Sequence, residues 1–387
     1  MGSVPSPLLF RPRRFEGESL SSWRQRVAWE NGYLLYPTPD ERTRRVDPDI
    51  GEDESLLQWI AALHGVDERA IVEMTLRSYI GVVVAELKPR SQPRWWLRSR
   101  YGQTPPSYGP MFCPLCLGCD RVPYFRLVWR FGFITTCSTH HTRLVDQCPY
   151  CFCAPWPSGV GVKSKIHHNF KSLDYCWHCG ESLSEATTEE PGSAQSSFDQ
   201  SQLDSGFDEV FGSYAHLGAV RAICQLFLRN RPRERIEQSG GYWAELADSL
   251  SADAKATQAV EQLNITDRHL LIPQIVNMVK NWPAAFLEFT STTGISKTHF
   301  NGAEGLQPIW MSDVVNASLA RQNRSVTPAI LEKTLLELRE TLGRIPTQSE
   351  IRRRLNWQGE KGLEELFVNY TSKKDRNSVE VTFPTYT

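Results

Sequence analysis

No stretch of this chain is long and apolar enough to cross a bilayer. The longest apolar run, around Ile80 to Leu87, falls far short of the roughly 20 residues that a spanning helix needs. The start of the chain lacks the apolar core of a signal peptide, and Pro5 and Pro7 interrupt it. A soluble, intracellular protein is the expectation. Net charge is also nearly absent, at −1 from 43 basic and 44 acidic residues. That excludes a uniformly cationic nucleic-acid binder, so any contact with nucleic acid must come from a local patch. A phosphate-binding Walker loop, a dinucleotide fingerprint, a nucleophile elbow and a cluster of carboxylates at metal spacing are missing too. The missing carboxylate cluster disfavours a metal-dependent nuclease, which would need it.

What the chain does have is concentrated between Cys113 and Cys179. Four short turns there each carry two soft ligands separated by two residues: Cys113-Pro-Leu-Cys116, Cys137-Ser-Thr-His140, Cys148-Pro-Tyr-Cys151 and Cys176-Trp-His-Cys179. One such turn aims both side chains at one ion, and two turns complete a tetrahedral zinc shell. Local pairing predicts one site from Cys113, Cys116, Cys137 and His140, and another from Cys148, Cys151, Cys176 and Cys179. The interleaved pairing, first turn with third and second with fourth, is the alternative. His140 keeps the two-residue spacing and His141 does not. Both shells are full, as in structural zinc sites, whereas a catalytic zinc keeps an open position. Cys119, Cys153 and Cys224 remain. This odd number without a pairing pattern fits a reducing compartment better than a disulfide framework. His167, His168 and His178 are spare and read as surface residues, the alternative being that one of them replaces a cysteine ligand.

At 387 residues the chain should hold two or three domains. Ser19 is a good N-cap for a helix ending near Gly32, with Leu20, Trp23, Val27 and Tyr33 near one face and Arg24 and Arg26 on others. Residues 55 to 77 carry a helix-turn-helix pattern. Ala61 is small enough for a helix crossing, Gly65 can take the turn, and Ile71 can return to the first helix. Asp67 can cap a second helix running from Glu68 to about Arg77. That helix offers Glu68, Arg69, Glu73 and Arg77, a mixture of signs that suits a protein partner at least as well as a DNA groove.

Residues 88 to 110 are basic and aromatic. Lys88, Arg90, Arg94, Arg98 and Arg100 interleave with Trp95, Trp96, Tyr101 and Tyr108, and five prolines preclude a long regular element. Such a segment either meets phosphates and bases or packs its tryptophans onto the metal module. Between the first two ligand turns, Tyr124 to Phe133 alternate as a strand would, yet Pro123 could also open a short helix. Arg121, Arg126 and Arg130 extend the basic character. From Glu181 to Glu209 there are eight acids and no bases, which marks a linker near 183 to 205. Beyond it the apolar pattern is helical: about 206 to 229, 242 to 250, 253 to 263, and 270 to 282, with Pro283 opening the next helix through Phe289, then 330 to 341. Thr347 and Glu350 have capping-box spacing, and Arg352, Arg353 and Arg354 give that last short helix a basic side. A second helix-turn-helix-like unit fits there, as does a helical domain whose arginines are simply solvated.

The expected fold is therefore mainly α and multidomain. Residues 1–110 form a helix-turn-helix region with a basic aromatic arm, and 111–182 a tandem zinc-binding module with short β-ribbons. Residues 183–205 form an acidic linker and 206–387 a C-terminal helical domain.

With these residues in view, the chain resembles the TniQ family of transposon target-selection proteins. The resemblance rests on Arg11-Pro12, Glu18-Ser19-Leu20 and Asn31-Gly32-Tyr33. It rests more firmly on Phe112 to Cys116, Pro123-Tyr-Phe-Arg-Leu-Val-Trp-Arg130, Cys137-Ser-Thr-His140 and Leu144 to Cys151. It extends over roughly residues 8 to 180, and Asn281-Trp282-Pro283 is similar to the helical tails of longer, TnsD-like members. The family implies a non-catalytic adaptor with two structural zinc ions, at work on DNA in the bacterial cytoplasm. Such an adaptor marks an insertion site and recruits a AAA+ ATPase that engages the transposase. In CRISPR-associated transposons the adaptor rides, as a dimer, on a Cascade complex whose guide RNA reads the target. Other members read attachment-site DNA directly and tend to be longer. Length, near-zero charge and the mixed-sign helix favour the Cascade-bound type. Expected contact residues for DNA or a partner are Arg69, Arg77, Arg94, Arg98, Arg100, Arg126, Arg130, Arg352, Arg353 and Arg354.

Overall fold

The fold is seen in a computed structural model, which describes residues 8–33, 47–88, 93–97, 109–155, 172–188, 214–256, 259–300, 307–319, 328–344, 346–347, 350–351 and 354. The chain forms two compact units, residues 1–314 and residues 315–387. Secondary structure among the described residues is mostly helical. Among these residues, strand-like backbone pairing is limited to single bridges, including Phe112 with Val145, Thr136 with Arg143 and Tyr175 with Ser182. The short β-ribbons expected in the metal module are thus reduced to isolated bridges, because a ligand turn interrupts each pair of segments within a few residues.

Helix α1 (Leu20–Glu30) starts at Ser19, whose hydroxyl accepts a hydrogen bond from the Ser22 amide at 3.2 Å. It ends with Gly32 at φ 77°. The sequence places Arg24 and Arg26 away from its apolar face, but both are buried. The reason is that α1 is covered on several sides. The N-terminal segment crosses it, with the Trp23 indole donating to the Pro12 carbonyl and Arg26 to the Arg13 carbonyl. The metal module also meets its first turn, where the Ser19 amide donates to Phe125 and the Phe125 amide to Ser22 Oγ.

Helix α2 (Glu54–His64) is capped by Asp53 and closed by Gly65 at φ 61°. Helix α3 (Glu68–Val72) is capped by Asp67. Leu20, Trp23, Val27, Leu57, Ile60, Ala61 and Ile71 form one core between α1, α2 and α3. Full burial stabilises each large apolar side chain by roughly 1.5–3 kcal/mol. The second helix was expected to reach Arg77, yet it stops at Val72. Tertiary hydrogen bonds take over there. The Met74 carbonyl accepts from the Leu20 amide, and the Leu76 amide donates to the Asp49 carbonyl. The backbone must leave helical geometry to make them, and a 3-10 turn follows at Leu76–Tyr79. Gly51 is needed beside it: a Cβ at this φ of 72° would lie 2.5 Å from Thr75 Oγ1.

The tryptophans of the basic arm are interior. Trp95 and Trp96 are buried, and Gly132 and Leu97 donate backbone hydrogen bonds to Trp95 and Arg130. Packing onto the metal module is the role these two rings take. Helix α4 (Pro114–Cys119) opens on a proline at its first position. The ambiguous stretch before the second ligand turn is a 3-10 turn at Leu127–Arg130, with Phe125, Leu127, Trp129, Phe131 and Phe133 all buried.

Residues 183–186, expected to begin the linker, instead pack. Leu183 and Ala186 are buried, and the 3-10 turn Leu183–Glu185 lies against α4. Residues 189–213 lie outside the described set. The helical array then follows as α5 (Tyr214–Leu228), α6 (Asn230–Glu237), α7 (Gly241–Asp248), α8 (Ala252–Ala256), α9 (Ile265–Lys280) and α10 (Ala284–Thr293). Helix α5 packs on α9, and α6 on α7. Helix α9 begins five residues before the expected Leu270, because Asn264 caps it and Asp146 accepts the Ile265 amide at 2.6 Å. Helix α11 is Ile309–Ser318.

In the second unit, α12 (Pro328–Leu342) is followed by Thr347 and Glu350 in a reciprocal capping box. The Thr347 amide donates to Glu350 Oε2 at 2.7 Å, and the Glu350 amide to Thr347 Oγ1 at 3.4 Å. Leu335 and Ile351 are buried.

Candidate metal centres

The four ligand turns meet in two groups. Cys113, Cys116, Cys137 and His140 converge, and so do Cys148, Cys151, Cys176 and Cys179, with donor atoms in each group within 4.8 Å of one another. This is the local pairing, and the interleaved one is not formed.

Three of the turns share a backbone device. The residue after the second ligand takes a left-handed conformation: His141 at φ 52°, Phe152 at 58° and Gly180 at 80°. That reversal lets the amide of the residue after the second ligand donate to the carbonyl of the first, as His141 does to Cys137, Phe152 to Cys148 and Gly180 to Cys176. The turn closes and both side chains point the same way. The first turn uses α4 in its place.

The separations test the fit. Zinc–sulfur bonds of about 2.3 Å and zinc–nitrogen bonds of about 2.0–2.1 Å give tetrahedral edges of about 3.8 Å between sulfurs and about 3.5 Å from sulfur to nitrogen. In the first group Cys116 Sγ lies 3.5 Å from Cys137 Sγ and 3.3 Å from His140 Nδ1, which is 3.6 Å from Cys113 Sγ and 3.7 Å from Cys137 Sγ. In the second, Cys148 and Cys179 sulfurs are 3.5 Å apart, and Cys151 and Cys176 are 3.6 Å apart. Both groups fit one ion each.

The thiols crowd one another accordingly. Hydrogen bonds with Cys113 and Cys137 hold the Cys116 thiol far above its ordinary range, while those with Cys113 and Cys116 pull Cys137 far below. Burial pushes Cys179 up to about 11. A bound dication removes this competition by taking every sulfur as thiolate.

The arginines expected at a contact surface have different fates. Arg130 is buried. It pairs with Asp47 and with Asp49 at 2.6 Å, donates to the Leu97 carbonyl at 2.8 Å, and lies over the Trp96 ring. Burial opposes its charge, but Asp47 and Asp49 hold its pKa above the usual value. Burial likewise pushes Asp49 up to about 6, with Arg130 acting against the shift. Arg126 is mostly buried beside the first centre, in a two-point pair with Asp120 at 3.1 Å and against the Tyr124 and Trp129 rings. Arg77 is half-buried and paired with Glu54. Arg69 and Arg94 are exposed, the former with 88% of its side chain accessible. Arg354 is exposed, 3.6 Å from Glu337. Arg98, Arg100, Arg352 and Arg353 lie outside the described residues.

Two buried charged residues organise the fold through partners that the sequence does not indicate. Glu18 is buried and takes two hydrogen bonds from Arg26, at 2.6 and 2.8 Å. Arg268 is fully buried, donating to the Gly132 carbonyl at 3.1 Å with Asp146 at 3.6 Å. Arg268 at least stands out as a charge inside the apolar pattern of α9, whereas Glu18 precedes the cap of α1 and carries no such mark.

Residues 9–144 match the model of the TniQ family. That stretch contains α1 to α4 and the whole first centre. The second centre and the helical array lie beyond the match. No curated protein matches the chain.

Proposed function

We propose that the protein is a non-catalytic adaptor for DNA transposition. It links an RNA-guided Cascade complex to a AAA+ ATPase regulator, and through it to the transposase. The observation that carries the adaptor reading is the pairing of a TniQ match with two closed ligand quartets. Each quartet already supplies four protein donors, so a bound zinc has no position left for water or substrate and acts as a structural cross-link. The near-neutral charge and the short, acid-flanked α3 favour base pairing by a guide RNA over direct sequence reading by this chain. Cys113, Cys116, Cys137 and His140 hold one zinc, and Cys148, Cys151, Cys176 and Cys179 the other. Of the ten expected contact arginines, Arg69, Arg94 and Arg354 are the described ones that lie exposed, where a partner or a phosphate could reach them.

Affinity capture of the tagged full-length protein from cells carrying its transposon, with RNA and protein both identified, tests this. Recovery of a short CRISPR RNA with Cas subunits and the ATPase is the expected result. Recovery of the ATPase with duplex DNA and no guide RNA would overturn the RNA-guided part and favour direct reading of an attachment site. Divalent-ion-dependent DNA cleavage by the pure protein would overturn the adaptor reading.

A further inference from the structure

Cys153 and His178 belong to neither quartet, yet the fold brings both to the edge of the second one. The left-handed turn at Phe152 swings the chain back, so that the Cys153 carbonyl accepts the Cys148 amide at 2.9 Å. The Trp177 indole then donates to the Ala154 carbonyl at 2.8 Å, which holds the Cys176–Cys179 turn, and His178 with it, beside the same segment. As a result, donor atoms of Cys151, Cys153 and His178 lie within 4.8 Å of one another.

We propose that Cys151, Cys153 and His178 form a further site for zinc or a similar soft dication, sharing the Cys151 thiolate with the adjacent quartet. The proposal rests on reading that quartet as a metal centre. A thiolate sulfur keeps lone pairs after binding one ion and can bridge two. Thiolate and imidazole are donors that zinc accepts readily. Four thiolates over-neutralise a dication, so a second cation beside them is attracted rather than repelled. The site differs from both quartets in kind. It has three protein ligands, so a fourth position is open to water or to a donor from a partner. Cys153 is half-buried and His178 exposed, which leaves the ion in contact with solvent. It binds more weakly and exchanges faster than the two enclosed ions.

The test is a cobalt(II) titration of the purified, zinc-loaded full-length protein, with cobalt and zinc counted at dialysis equilibrium and thiolate-to-cobalt charge transfer followed in the near ultraviolet. The expected result is one cobalt per chain with thiolate charge transfer and no loss of zinc, abolished in both Cys153→Ser and His178→Gln while their zinc content stays at the wild-type level. Absence of that band, or its persistence in either variant, overturns the proposal. So does loss of a resident zinc from Cys153→Ser, since Cys153 would then be a ligand of the quartet itself. Wild-type protein purified with fewer than two zinc ions would sink the quartet reading, and this one with it.

Discussion

Arg130 Nη1 lies 2.6 Å from Asp49 Oδ2, and both groups are buried. This pair joins the aromatic turn between the first two ligand turns to the loop that precedes α2. Asp49 also takes the Ser21 amide at 2.5 Å and the Ser21 hydroxyl at 2.7 Å. The start of α1, the loop before α2 and the metal module are thereby tied at one point.

Removing one partner of such a pair leaves a buried charge without compensation. Arg130→Leu should destabilise the protein by about 3–5 kcal/mol, and Arg130→Lys should recover only part of that, since an ammonium cannot span Asp47, Asp49 and the Leu97 carbonyl at once. Urea unfolding followed by tryptophan fluorescence reads both. A loss under 1 kcal/mol for Arg130→Leu would mean that solvent reaches the site.

Arg69→Glu should behave in the opposite way. Its side chain is almost fully exposed, so its stability should change by less than about 0.5 kcal/mol. Any effect should appear in transposition or in partner capture. Unchanged transposition would assign Arg69 to solvated surface.

The two centres should lose metal independently. Cys116→Ser should cost one zinc per chain and leave the second, and Cys148→Ser the reverse, each with reduced solubility because metal binding and local folding are coupled. Elemental analysis of the purified variants decides it. Full metal content in either soluble variant would refute the grouping.

Acid sensitivity should have a source apart from the thiolates. His64 is buried against Trp23, with ring centroids 4.3 Å apart. Burial, together with Arg11 and Arg24, lowers its pKa to about 4. The unfolded chain binds this proton below about 6.5, the folded one only near 4. Its contribution is therefore complete above 6.5 and is lost as pH falls through the window down to 4. Against wild type, His64→Gln should show a smaller drop in urea midpoint between pH 7 and pH 5. An equal drop would assign the acid sensitivity elsewhere, including to the metal centres, which the two proteins share.

Trp95 ties the arm to α5 through its indole, which donates to the Leu217 carbonyl at 3.0 Å. Trp95→Phe removes that donor in a buried setting and should cost about 1–3 kcal/mol. The loss should be read by thermal unfolding, with zinc content unchanged. A lowered zinc content would show that the ring supports the metal module directly.

The sequence by itself determined whatever depends on neighbours a few residues apart. The ligand quartets were legible because two donors separated by two residues fit one turn. Most helices were legible because caps such as Ser19 and Asp67 and the apolar spacing act locally. Tertiary structure alone decided the fate of groups whose partners are distant in the chain. Helix α3 ends at Val72 because Leu20 and Asp49 claim the backbone beyond it. Arg126 and Arg130, basic on paper, are neutralised by Asp120, Asp47 and Asp49. Cys153 and His178, spare in sequence, become neighbours through a turn at Phe152 and an indole hydrogen bond from Trp177. A charge or thiol carries no local mark of the group it will meet, since that meeting is set by packing of segments far apart in the chain.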